Sequence, residues 1–179
     1  GQGNAGDGVA VGLGTYDNYP YFRQVFFYDH AATDANGNPA PLEDAPYIHH
    51  IASTQFSEGD SGAGISWNYR YTTNFALDVE GYVYAWGYNG YGQLGNGDGG
   101  YENDLTTPKT SNVPVDILSL PDSGYNGENA ISVSCGGNHT AILLNTGEVL
   151  TFGNNQYGQL GNGESGTENN GTPKKSNLP

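Results

Sequence analysis

Trp86-Gly-Tyr-Asn-Gly-Tyr-Gly-Gln-Leu-Gly-Asn-Gly97 and Phe152-Gly-Asn-Asn-Gln-Tyr-Gly-Gln-Leu-Gly-Asn-Gly163 are nearly the same peptide, offset by 152 − 86 = 66 residues. Self-similarity at a fixed period marks a repeat architecture, in which each unit buries its apolar face against the next. Working outward from the second copy, Thr140-Ala-Ile-Leu-Leu144 is a short apolar run, Asn145-Thr-Gly147 supplies a turn, and Glu148-Val-Leu-Thr-Phe152 alternates, which reads as a hairpin. The first copy repeats it as Asn74–Asp78, a turn at Val79-Glu-Gly81, and Tyr82–Trp86. A further strand precedes each hairpin, at Ile48–Ala52 and Ala130–Ser134, and a Gly/Asn/acidic loop ending in Thr-Pro-Lys follows each, at Thr107–Lys109 and Thr172–Lys174. No segment has the period of a helix.

These residues resemble the regulator of chromosome condensation (RCC1-like) repeat. The match is carried by Gly136-Gly-Asn-His-Thr140, the Leu143 to Val149 hairpin, the aromatic-Gly pairs Trp86-Gly87 and Phe152-Gly153, and two loop signatures. The signatures are Tyr91, Gly92, Gln93, Leu94 and Gly95 in the first copy, and Tyr157, Gly158, Gln159, Leu160 and Gly161 in the second. The resemblance implies an all-β fold of four-stranded propeller-type blades, and a structural role for His139. Family members close a ring of about seven blades, so the blades of this chain are incomplete as a ring. Three segments are expected: 1–47 as a divergent N-terminal repeat, 48–120 as one repeat with an aromatic insertion at 54–73, and 121–179 as a repeat lacking its final strand.

Two departures from the repeat are candidate contact surfaces. The insertion carries Phe56, Trp67, Tyr69 and Tyr71, more aromatic surface than a solvated loop requires; it reads as a partner contact or as a lid packed on its own blade. Arg23-Gln-Val25-Phe26-Phe27-Tyr28 resembles in kind the Pro114–Leu118 strand of the first full repeat, while the sequence reaches Ser176-Asn-Leu-Pro179 where another such strand is due. An exposed sheet edge can be satisfied by a strand from another copy. Residues 23–28 are therefore an expected assembly strand, with head-to-tail filaments or rings as one outcome and a piece of a longer propeller as the other.

The chain has 179 residues and a net charge of −14, with 19 acidic against 5 basic side chains. Such a field repels phosphate backbones, so nucleic acid is not an expected partner. No apolar run reaches the roughly 18 residues of a membrane-spanning helix. Nucleotide exchange on a small GTPase is not carried over from the family, because a fold does not carry a function and no basic tail accompanies these few blades. The absence of Met and the first residue, Gly1, suggest material upstream. With few Lys and Arg and many Gly, Asn, Tyr and Ser, the chain reads as an extracellular or cell-surface structural protein that assembles with other copies, or as a module binding a protein or glycan. The Tyr16-Asp-Asn-Tyr-Pro-Tyr-Phe22 cluster joins Trp67 and Tyr69 in that second reading.

Candidate chemistry is thin. Gly1-Gln-Gly-Asn-Ala-Gly6 satisfies a dinucleotide pattern on paper, but without a preceding strand or a following helix it reads better as a degenerate Gly-Gln-x-Gly-Asn turn. Asp34-Ala-Asn-Gly-Asn38 resembles the start of a calcium loop, yet Pro39 and Ala45 stand where a Gly and a bidentate Glu belong, so a polar hairpin turn fits better. His49 and His50 are adjacent on a strand and face opposite ways. Cys135 is a lone thiol at the end of a strand, and Asn170, in Asn170-Gly-Thr172, is the one plausible glycosylation acceptor. No catalytic frame stands out, no cofactor is implied, and no enzyme is expected.

Overall fold

A computed structural model describes residues 25, 27–33, 39–41, 46–54, 72–103, 108–118, 129–168 and 174–176. Strands β1 (Tyr28–Thr33) and β2 (Pro39–Pro41) pair antiparallel as a two-stranded sheet. Strands β3 (Ile48–Ser53), β4 (Thr73–Asp78), β5 (Val83–Tyr88) and β6 (Thr110–Asp116) make a four-stranded sheet in that order. A second sheet repeats the order with β7 (Ala130–Cys135), β8 (His139–Leu144), β9 (Val149–Asn154) and β10 (Lys175–Ser176). All neighbours are antiparallel, and the described residues contain no helix. The fold is all-β, with propeller-type blades that make up part of a ring.

The two sheets are copies in register as well as in sequence. Leu77 pairs with Val83 in one hairpin as Leu143 pairs with Val149 in the other, each at the 66-residue offset. Each first strand carries an irregularity at the same step, between Ile48 and His50 and between Ala130 and Ser132. In β6 the ladder slips between the Ser111 and Val115 pairings, where Pro114 has no N–H to donate. That proline is tolerated because β6 is the edge of its sheet.

The core lies between the sheets. Phe75, Leu77 and Val83 from the first meet Val133, Ile142 and Phe152 from the second, all buried, with the Phe75 and Phe152 ring centroids 6.4 Å apart. Each such side chain contributes about 1.5–3 kcal/mol by leaving water. A smaller cluster lies on the far face of the first sheet, where Phe27 and Ile48 pack on Ala76, Tyr84 and Trp86. Buried on both faces, β5 has no exposed residue.

Of residues 23–28, expected to pair with another copy, Val25 and Phe27 lie outside any strand of the single chain, whose first strand begins at Tyr28; pairing with another copy stays an expectation. Phe27 is held instead by an edge-to-face contact with Tyr84 at 4.9 Å, which takes it out of a ladder and onto its own blade. The 121–179 repeat, expected to lack a strand like Val115–Leu118, carries a two-residue edge strand in which Lys175 and Ser176 pair with Asn154 and Gly153, as Thr110 and Ser111 pair with Tyr88 and Gly87. Backbone bonds from Asn155 N to Lys174 O and from Lys174 N to Gly166 O bring the chain back to that edge.

Candidate functional site

The aromatic-Gly pair and the loop behind it form one device, built twice. At Gly87 (φ +111°) a Cβ would stand 2.2 Å from the Thr72 carbonyl oxygen, and at Gly153 (φ +105°) 2.5 Å from that of Asn138. Only glycine lets the neighbouring backbone approach so closely in that conformation. The chain then enters a loop organised around one buried amide. Asn89 Oδ1 accepts from Leu94 N (2.9 Å), while its Nδ2 donates to Asn96 Oδ1 (2.8 Å) and to the Asp98 carbonyl. Asn155 does the same with Leu160 N (3.0 Å), Asn162 Oδ1 (2.9 Å) and Glu164 O (3.0 Å). Gln93 and Gln159 complete the frame by accepting from Tyr91 N and Tyr157 N. The sequence reading left out Asn89 and Asn155, although they share the 66-residue offset of the signature.

The first loop is a clamp between sheets. Leu94 enters the core, Thr140 Oγ1 of the second sheet donates to Gln93 O (3.1 Å), and the Cβ absent from Gly95 would lie 2.6 Å from the Phe152 ring. Lys175 Nζ lies beside Gly100 of the first repeat, where a Cβ would meet it at 2.9 Å. Burial and nearby Lys109 push the Lys175 ammonium down, against the pull of Asp98. Lys109 itself pairs with Asp98, and this hydrogen bond holds its charge.

The second loop is built alike, but among the described residues nothing stands against its Gly161. Nothing lies within 4 Å of the Gly161 Cβ direction, and Tyr157 is 84% exposed. Leu143 and Val149 are 36% and 59% exposed, where their equivalents Leu77 and Val83 are at 0%. The loop backbone is nevertheless fixed, so an aromatic and an aliphatic surface stand on a rigid frame.

The remaining candidates fall outside this surface. Phe56, Trp67, Tyr69, Tyr71, Arg23, Phe26, Asn170, the Gly1–Gly6 turn and the Asp34–Asn38 loop lie outside the described residues. The strands flanking that last loop are antiparallel neighbours, as a hairpin requires. His50 Nε2 donates to the Val133 carbonyl oxygen of the second sheet (3.1 Å), since that oxygen can only accept. Burial pushes the Cys135 thiol up to about 12, which keeps it protonated and poorly nucleophilic at neutral pH. Burial also lowers the His139 pKa, and its ring fills the space that Gly136 leaves open. Among the described residues no group of three or more His, Cys, Asp or Glu could hold a metal ion, and no helix is long and apolar enough to cross a membrane.

Comparison with known proteins agrees with this geometry. The family model described as "Regulator of chromosome condensation (RCC1) repeat" matches residues 80–143 and 146–179, and a second model of that description matches 130–159. The human probable E3 ubiquitin-protein ligase HERC6 is 38% identical over 88 residues, 49% of this chain and 8% of that protein. A Xenopus laevis RCC2 homologue is 41% identical over 87 residues, 49% of this chain and 14% of its own length. The solved structure of Prp20p from Saccharomyces cerevisiae, reported with its binding to Gsp1p and histones, is similar at 20% identity and a TM-score of 0.47, over 80% of this chain and 28% of that one. The chain thus spans a small part of each relative. The RCC2 homologue is an intracellular protein, which overturns the expected extracellular or cell-surface location. That expectation rested on composition, which reports surface charge and hydration but not compartment.

Proposed function

Because the chain belongs to the regulator of chromosome condensation repeat family, we propose that it is a non-enzymatic protein-interaction module, its blades serving as a rigid frame for contact surfaces. The observation that carries this reading is Tyr157, 84% exposed on a loop whose backbone is held by Asn155 and Gln159. A large aromatic on a pre-ordered loop adds contact area at low entropic cost, as binding hot spots do. The finer form of the reading is association with other copies of the chain, end to end, as two similar blades already associate within it. The match to ubiquitin-protein ligases adds no catalytic role, since it covers 8% of HERC6.

A photo-crosslinking amino acid placed at position 157, with position 102 as the exposed control, tests this reading. Discrete protein adducts at 157 and none at 102 are expected. Equal labelling at both positions, or none at either, contradicts it.

A further inference from the structure

Between the loop of the first blade and the edge strand of the second, two cations meet one carboxylate. The loop that follows β5 carries Asp98, Gly100 and Glu102 and returns to β6 through Lys109. Backbone bonds from Gly100 N to Asn89 O (3.0 Å) and from Lys109 N to Gly100 O (2.9 Å) fix its course. Lys175 reaches this loop from β10 of the second blade, and its Nζ occupies the notch that Gly100 leaves by having no side chain. The carboxylate there is already taken, since Lys109 pairs with Asp98. Lys109 is therefore held as an ammonium, chiefly by that hydrogen bond, with the charges of Asp98 and Glu102 acting the same way. Lys175 is treated in reverse: burial first, and then the Lys109 charge, favour its neutral amine against the pull of Asp98. A neutral amine has the free lone pair that makes lysine a nucleophile. Lys175 is still an exposed residue, open to a reagent.

We propose that Lys175 is a site of acylation by thioester donors, set apart from Lys109 and Lys174 by its place beside Gly100 and the Lys109–Asp98 pair. The Nζ lone pair attacks the thioester carbonyl carbon; the C–N bond forms as the C–S bond breaks, and the thiolate leaves with the electron pair. The nitrogen gives up one proton, which passes through water to the thiolate, so the products are an amide and a thiol. The amide carries no charge, so acylation ends the repulsion between Lys175 and Lys109 and leaves the Lys109–Asp98 pair in place. Lys174 supplies a comparison one residue away, its backbone bonded to Asn155 and Gly166 rather than to the first blade.

Incubating the folded 179-residue chain with phenyl thioacetate at neutral pH tests the proposal. Cleavage after Glu168 yields one peptide with both Lys174 and Lys175, and fragmentation in a mass spectrometer assigns the acetyl group. Each unit by which an amine's pKa falls raises its neutral fraction about tenfold, offset in part by weaker nucleophilicity, so Lys175 is expected to react at least about threefold faster than Lys174 or Lys109. Two variants separate charge from a disturbed loop. Lys109→Gln removes the like charge and frees Asp98 for Lys175, so acetylation at 175 is expected to slow by about threefold; Asp98→Asn removes the opposing charge, so it is expected to quicken. The Asp98 carbonyl that accepts from Asn89 is unchanged in that variant. In denaturant the preference for Lys175 over Lys174 is expected to vanish. Equal rates at Lys175 and either other lysine in the folded chain overturn the proposal, as do rates at 175 that move the same way in both variants, or a preference that persists in denaturant.

Discussion

Asn155 has a role that its neighbours in the sequence do not announce. Its amide holds three loop positions while almost fully buried, as Asn89 does in the first repeat. Replacing either by Ala leaves a buried N–H without its acceptor, so Asn89→Ala and Asn155→Ala are each expected to destabilise the chain by about 2–3 kcal/mol in denaturant titration. In sequence such an Asn looks like any solvated turn residue; only the offset between the two could have marked them. Gly95 and Gly161 share a positive φ but not a neighbour. Gly161→Ala should cost about 1 kcal/mol from the backbone alone, and Gly95→Ala about 2–4 kcal/mol, because it also pushes on the Phe152 ring. Equal losses would show that the clamp is absent. His139 ties stability to pH: its folded pKa lies below the unfolded value of 6.5, so the unfolded chain binds the proton more readily. Its contribution is complete above pH 6.5 and is lost as pH falls through the folded value. Between pH 7.5 and 5 the wild-type denaturation midpoint should fall further than that of His139→Gln.

The strands were legible because alternation and turn residues fix where a hairpin folds. Both hairpins, both preceding strands and the turns at Gly81 and Gly147 stand where the pattern puts them. The same reasoning misplaced β1. A continuous apolar run such as Val25–Tyr28 reads as strand, but it is also what a chain uses to lay an aromatic across a neighbouring sheet, and Phe27 does that. Sequence could not distinguish the two because the deciding partner, Tyr84, is 57 residues away (84 − 27 = 57). Which face of a strand is covered was equally hidden, since Leu77 and Leu143 occupy identical positions in the repeat. Leu77→Ala should cost about 2–5 kcal/mol, whereas Leu143→Ala should stay within about 0.5 kcal/mol of wild type, as surface changes do. Chemical denaturation of the two variants measures the asymmetry directly.

At the scale of the whole molecule, two similar blades pack face to face, and the loop signature that identifies the repeat is also what joins them. The first Gln-Leu-Gly grips the next sheet; the second has the same internal frame and, among the described residues, no neighbour at Gly161. The family and the blade architecture were written in the repeat. Compartment was not, since a charge of −14 and a Gly-rich surface suit an intracellular protein as well as a secreted one. The central claim is that the first loop clamps the two sheets together through Gly95 and the Phe152 ring. A double-mutant cycle of Gly95→Ala and Phe152→Leu in denaturant titration tests it most directly. Trimming the ring is expected to relieve part of the Gly95→Ala loss, with a coupling of about 1 kcal/mol or more. Losses that simply add would contradict it.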